Sequence, residues 1–221
     1  MAKNKVVTLE QAMKFVRSGM TLMIPGFVRC GVPETLIQGI VDTGCGEFDV
    51  ISNNTSVPGQ GIGHLVHANR IRHITCSHIG LNKETVAKVM AGEIDVTFTP
   101  QGTLCECIRA GGAGLGGVLT PTGVGTPVEE GKQVIEMDGR RYLLEKPLHA
   151  DLAILHAWKV DKMGNCIYRR TARNFNSIMA TAADLVIVEA EDIVEVGELE
   201  PDYIMTPGCL VDYIVQGKPC K

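Results

Sequence analysis

Apolar residues recur along this chain in two alternating rhythms, short unbroken runs and longer stretches at helical spacing. The runs "TLMI" (21–24), "DVIS" (49–52), "HITCS" (73–77) and "IDVTFT" (94–99) are short and partly β-branched, as strands are. Between them the period changes to that of a helix. "TLEQAMKFVRSG" puts Leu9, Met13 and Val16 on one face, with Thr8 as cap and Gly19 as terminator. Pro33, a favoured first helical residue, opens "ETLIQGIVD", the glycine loop "PGQGIG" opens on "HLVH", and "KETVAKVMAG" and "TLCECIRAG" read as further helices. Strands alternating with helices predict a parallel sheet with helices packed on it.

The pattern changes near residue 118. Two alternating runs, "VIEM" and "RRYLL", flank Asp138-Gly139, a two-residue hairpin signal. "DLAILHAW" (151–158) and "DLVIVEAE" (184–191) read as buried strands, "NFNSIMATAA" as helix, and "TPGCLVDYIV" closes a turn-rich tail. No repeat, low-complexity stretch or linker divides the chain. The expected fold class is therefore α/β: an open, mostly parallel sheet with flanking helices and a β-hairpin insertion, residues 1–221 forming one domain.

Composition narrows the function classes. With 45% apolar and 21% charged residues the chain can bury a core and is not of disordered type. A formal charge of -4 argues against a nucleic-acid partner, which usually meets a basic face. No apolar run approaches the roughly 20 residues of a membrane span, and "MAKNKVVTLEQAMKF" lacks a signal-peptide core, so a soluble, cytoplasmic protein is expected. The eight cysteines (Cys30, Cys45, Cys76, Cys105, Cys107, Cys166, Cys209 and Cys220) include no C-x-x-C pair, which favours free thiols over a metal site or disulfide framework.

Several glycine and histidine patterns fail on context. "GAGLGG" (112–117) follows a helix and precedes a strand, the reverse of the dinucleotide fingerprint. "GTPVEEGKQ" (125–133) spaces its glycines too widely for a phosphate loop and has Gln133 where a magnesium-binding hydroxyl belongs. His64 and His67 could share a helical face, but no acidic residue at helical spacing completes a metal site, and structural roles fit them better. Glu189, Glu191 and Asp192 read as a strand end, catalytic or simply solvated, with no His or Cys beside them in sequence.

Two features remain. In "MTLMIPGFVRCGVPETLI" a glycine-flanked loop enters a helix N-terminus, which suits an anion such as a phosphate and equally suits a plain βα turn. In "TFTPQGTLCECIRAGGAGLGG" Gln101 falls at the carboxyl end of a strand, where open α/β sheets bind ligands; its neutral amide can hold a carboxylate or thioester oxygen.

Together "SGMTLMIPGFVRCGVP", "ISNNT…GIG", "SHIGLN", "TPQGTLCECIRAGGAGLGG", "TPTGVGTPVEEGK", "LHADLAILHAWKVDKMGN", "ARNFN" and "TPGCLVDYIV" resemble, nearly end to end, the small α-type subunit of family I coenzyme A transferases of the acetate/acetoacetate (butyrate–acetoacetate) kind. The family's loop pattern is met by Gly19, Leu22-Met23-Ile24, Gly26, Phe27, Gly31 and Pro33. Ser18 stands where Asp or Asn is usual, and Pro25 replaces the first Gly of Gly-Gly-Phe, removing one N–H. The resemblance implies that Pro25, Gly26, Phe27, Val28, Arg29, Cys30 and Gly31 contact CoA, and that Gln101 and Gly102 lie beside the acyl group.

It also implies a substrate, coenzyme A carried on short-chain acids, and no metal. The nucleophilic glutamate of the family stands in a Ser-Glu-Asn-Gly-like stretch of the β subunit or C-terminal half. No glutamate here is followed by Asn-Gly, so no catalytic residue is expected in this chain, and a β subunit is expected as partner, in a heterodimer or α2β2 assembly. The stretch "AGGAGLGG" (110–117) is expected to let helix and strand pack tightly beside the bound pantetheine. The rival readings are a ligand-binding protein or sugar-phosphate isomerase of the same fold group, acting without a partner, and an inactive homo-oligomer with residual CoA affinity.

Overall fold

The computed structural model describes residues 4–218; Cys220 lies outside them. Its centre is a mostly parallel sheet in the order β11-β10-β8-β1-β2-β3-β4, with β9 as an antiparallel flap on β8. The strands are β1 (Thr21–Met23), β2 (Phe48–Ile51), β3 (Ile71–Cys76), β4 (Asp95–Phe98), β8 (Ala150–Asp161), β9 (Cys166–Ile167), β10 (Ala183–Val194) and β11 (Tyr213–Gln216). Each predicted strand of the parallel sheet is present. β5 (Val118–Thr120), β6 (Gln133–Met137) and β7 (Arg140–Glu145) form a separate antiparallel sheet. Its β6–β7 turn is the expected hairpin, with Asp138 at φ 53° and Gly139 at φ 71°.

Side-chain alternation gives the sheet two buried faces. Leu22, Ile24, Val50, Ile74, Leu152, Ile154 and Ile187 pack under α1 (Leu9–Met13), α2 (Glu34–Thr43) and α3 (Gly63–His67). α4 (Lys83–Met90) reaches the same cluster through Val89. Met23, Ile51, Ala153, Leu155, Val186 and Val188 pack against α5 (Gln101–Gly112) and α6 (Asn176–Met179). Among the described residues no helix is long and apolar enough to cross a membrane.

Three helices depart from expectation. α1 has its Thr8 cap, in a full capping box with Gln11, but stops at Met13 rather than Gly19. Lys14, Phe15 and Val16 turn back onto Gln11, Ala12 and Met13, and the end of the segment is held by the turn after α2, where Gly19 N–H donates to the Gly46 carbonyl and Gly46 N–H to Ser18 Oγ. The run 174–183 is helical only over α6, preceded by a 3₁₀ turn at Arg170–Arg173. α5 begins at Gln101, so that residue sits in the first helical turn rather than in a loop.

The glycine cluster finds its purpose inside the fold. A Cβ on Gly111 would lie 1.9 Å from the Leu148 carbonyl oxygen, and one on Gly112 would lie 2.0 Å from Thr181 Oγ1. Both glycines let the last turn of α5 press on neighbouring chain. That turn is about 15 Å from Gln101 at the helix rise per residue. Gly111 and Gly112 thus serve close packing at the end of α5 away from Gln101.

Candidate active-site crevice

The chain leaves β1 toward β2, β3 and β4 on one side, then returns to β8 and proceeds through β10 to β11 on the other. The order therefore reverses between β1 and β8, and ligand crevices of open α/β sheets form outside the strand ends at such a point. β1 pairs with β8 only at Leu152 and Ala153, so β8 and β10 run on past its end. The chain emerging from β1 there is the 25–31 loop.

Backbone geometry explains why that loop needs glycines. Gly26 stands at φ 133° and Gly31 at φ 72°; a Cβ on the first would lie 2.5 Å from Val32 Cγ2, and on the second 2.6 Å from the Ala172 carbonyl. Phe27 and Cys30 exchange backbone hydrogen bonds around a two-residue turn in which Val28, a β-branched residue, holds φ 59°. The outer residues Phe27, Arg29 and Cys30 are exposed, whereas Pro25, Gly26 and Gly31 are buried.

The segment 172–176 anchors the loop from outside. Asn174 Nδ2 donates to the Cys30 carbonyl at 2.9 Å. Asn176, fully buried, donates through Nδ2 to the carbonyls of Gly31 (3.0 Å) and Ala172 (2.8 Å), and its Oδ1 accepts the His156 N–H at 2.8 Å.

Beneath the loop lies a cavity of about 860 Å³ whose walls include Arg29, Cys30, Thr35, His64, His156 and Glu189. His156 and Glu189 are register partners on adjacent strands and so share a face. His156 is 2% exposed, and burial holds its imidazole below the usual histidine value against the opposing pull of Glu191, whose Oε1 is 3.3 Å from Nε2. That contact places the proton on Nε2 and leaves Nδ1 an acceptor; Nδ1 has no hydrogen-bond partner among the described residues.

Glu189 is also 2% exposed, and burial pushes its carboxyl up to about 7 in spite of two backbone N–H donors. Of the two sequence readings of Glu189, the solvated strand end is corrected: the residue is interior to β10, beside His156, in a cavity that Cys30 also lines. Pairing across a parallel sheet joins residues far apart in sequence, which no local pattern reveals.

Gln101 and Gly102 lie elsewhere along the same edge of the sheet. Both are exposed, in the first turn of α5 at the carboxyl end of β4. β4 is three strands from β1, about 14 Å at the usual strand spacing. The structure does not bring Gln101 to the cavity under the 25–31 loop.

The ends of β2 and β3 bridge the gap with buried polar chain. Ser52, Asn53, Asn54, Thr55 and Ser56 are each no more than 3% exposed. Ser77 N–H and Oγ donate to the Asn53 carbonyl, and Ser56 N–H donates to Asn54 Oδ1. The Nδ2 groups of Asn53 and Asn54 have no hydrogen-bond partner among the described residues. Buried donors without partners are costly, and at a strand end they can receive an anionic oxygen. "ISNNT" contributed only to the family resemblance; its signal was a polar run directly after an apolar strand.

His64 and His67 have acidic neighbours from other helices, Glu34 at 3.8 Å and Glu84 at 3.2 Å respectively. Among the described residues no group of three or more His, Cys, Asp or Glu side chains is placed to hold a metal ion, and all the described cysteines are free.

Comparison with known proteins agrees with this geometry. The family described as "Coenzyme A transferase" matches residues 6–217. The acetate CoA-transferase subunit alpha of Escherichia coli K12 is 49% identical over 99% of this chain and 100% of its own length. The acetoacetyl-CoA:acetate/butyrate CoA transferase alpha subunit of Clostridium acetobutylicum is 47% identical over 96% of this chain and 98% of its own. Among solved structures, an acyl-CoA transferase of E. coli O157:H7 superposes with TM-score 0.86 at 21% identity, over 98% of this chain. This chain spans only 47% of that one, a likeness of fold alone. With its whole length matched to α-type relatives, the chain belongs to the coenzyme A transferase family, as an α-type subunit.

Proposed function

We propose that residues 1–221 form the α-subunit domain of a cytoplasmic enzyme that moves CoA between a short-chain acyl-CoA, or acetoacetyl-CoA, and a free short-chain carboxylate, together with a β subunit. The observation that carries this reading is the 49% and 47% identity, over 99% and 96% of this chain, with two α subunits of enzymes named for acetate, acetoacetyl-CoA and butyrate.

The chemistry runs through a glutamate of the β subunit. Its carboxylate attacks the acyl-CoA carbonyl, giving an acyl-glutamyl anhydride and CoA thiolate. The thiolate then attacks the glutamyl carbonyl, releasing the first acid and leaving a glutamyl-CoA thioester. A second carboxylate attacks that thioester, expelling CoA thiolate and forming a new acyl-glutamyl anhydride; the thiolate then attacks its acyl carbonyl, giving the new acyl-CoA and freeing the glutamate carboxylate. Within this scheme the 25–31 loop, Pro25 to Gly31, contacts CoA, and Gln101 and Gly102 face the acyl group. The Nδ2 groups of Asn53 and Asn54, without partners among the described residues, support placing developing negative charge beside them.

The local geometry supports a nucleophile from outside this chain. Glu189, the buried carboxylate in the crevice, has Oε2 engaged by two backbone N–H groups, and burial favours its neutral form up to about pH 7. Both properties suit a structural carboxyl better than an attacking one.

The test is CoA transfer from acetoacetyl-CoA to acetate, by this chain alone and co-expressed with its β subunit. Activity in the mixture only is the expected result. Activity of the chain alone would place the nucleophile here and overturn the split-site scheme, and inactivity of both would overturn the choice of acids.

A further inference from the structure

α2 starts without a cap of its own. Pro33 stands at the N-cap position and supplies no side-chain acceptor, so the first N–H groups of the helix need a partner from elsewhere. That partner is Glu189, whose Oε2 accepts Thr35 N–H at 2.8 Å and Leu36 N–H at 3.1 Å. The carboxylate comes from 154 residues away along the chain.

The side chain is held in place from behind. Gly217 crosses it so closely that a Cβ there would lie 2.3 Å from Glu189 Cγ, and Gly217 N–H is fixed to the Ala190 carbonyl at 2.8 Å. Glu189 thus joins the α2 N-terminus to the β10–β11 edge, while Asn176 holds the adjoining Gly31 carbonyl. The C-terminal side of the 25–31 loop and the helix start that follows it are thus both pinned by groups from the second half of the chain.

We propose that Glu189 is a positioning residue: acting through the first turn of α2, it sets the place of the 25–31 loop for acyl-CoA uptake. This rests on the functional reading above. Groups on every element around it share the site. Glu34 and Thr35 come from α2, Arg29 and Cys30 from the loop, His64 from α3 and His156 from β8; Glu191 lies farther along β10, and Lys218 follows β11. Val215 of β11 is its apolar register partner. The ionised carboxylate makes charge-assisted bonds to two N–H groups and favours the helix N-terminus; the protonated form loses most of both. With its carboxyl pushed up to about 7, this change falls at ordinary working pH.

The test compares the assembled enzyme with its Glu189→Gln variant between pH 8 and pH 6, a range in which acetate stays ionised. In the wild type, KM for acyl-CoA is expected to rise about tenfold as pH falls, with KM for acetate unchanged. In Glu189→Gln the acyl-CoA profile is expected to be flat. Amide hydrogen exchange of Thr35 and Leu36 in the full chain, corrected for intrinsic rates, supplies a readout independent of activity. Protection lost toward pH 6 in the wild type and pH-independent in the variant supports the proposal. Constant wild-type protection, or a variant that keeps the wild-type pH dependence, overturns it. An assembly that transfers no CoA overturns the functional reading instead, and exchange still decides the clamp. Should Glu189→Gln not fold, the wild-type exchange profile decides.

Discussion

Asn176 and Gly31 are 145 residues apart in sequence, yet the Asn176 side-chain amide donates to the Gly31 carbonyl at 3.0 Å. The same side chain accepts the backbone N–H of His156, so one buried amide joins the loop after β1 to β8 and to the turn before α6. A substitution therefore breaks three bonds and leaves buried backbone groups unpaired.

Asn176→Ala is expected to destabilise the chain by about 2–4 kcal/mol, the range for losing a buried hydrogen-bond network. Urea unfolding at constant slope measures it. A loss below roughly 0.5 kcal/mol would show that other groups hold the loop.

Glu189 predicts a pH effect of opposite sign to a simple loss of contact. Its folded value, about 7, lies above the ordinary 4.5, so the folded chain binds the extra proton. The associated stability is present below about pH 4.5 and is lost as pH rises through 7. Glu189→Gln removes this penalty and should gain on the wild type from pH 5 to pH 8, by about 3 kcal/mol at most. Unfolding midpoints of both proteins across that range check the sign, and a variant that loses ground as pH rises would contradict it.

Two glycines of α5 should respond differently to alanine. At Gly111 a Cβ meets the Leu148 carbonyl at 1.9 Å, so α5 must shift, and a cost of about 2–4 kcal/mol is expected. At Gly102 a Cβ meets nothing within 4 Å, and alanine should be neutral or stabilise by about 0.5–1 kcal/mol. Thermal melts separate the two. A drop in transferase activity for Gly102→Ala without a drop in stability would mark a place where substrate comes close to backbone.

Gln101 is exposed and in the first turn of α5, so Gln101→Ala should leave folding and assembly within about 0.5 kcal/mol of wild type. If its amide holds the acyl oxygen, turnover of the assembled enzyme should fall by about 10²-fold, as for a lost oxyanion donor. Unchanged turnover at saturating substrates would remove Gln101 from the site.

The strands were legible because each depends on its own residues. β1 and β2 are short, largely apolar runs, β3 and β4 carry β-branched residues between polar ones, and Asp138-Gly139 can adopt positive φ cheaply, so strands and hairpin follow locally. The loop after β1 could likewise be found from Gly26 and Gly31, since each bears a backbone conformation that other residues rarely take. The family resemblance rested on such locally constrained positions.

What only tertiary structure decided is which distant groups meet. α1 stops at Met13, and Ser18 and Gly19 farther on pair with the turn at Gly46, although the apolar spacing through Val16 still suits a helix. The glycines at 111 and 112 serve Leu148 and Thr181, which nothing in "AGGAGLGG" specifies. Gln101 and the 25–31 loop lie three strands apart because strand order, set by the crossovers and the burial of both sheet faces, is not written in any one segment. The pairing of His156 with Glu189, and the capping of α2 by a carboxylate 154 residues on, follow from that order. Local propensity and spacing are short-range quantities and so can be read from the sequence alone. Burial, desolvation and the titration of Glu189 depend on neighbours that only the folded chain brings together.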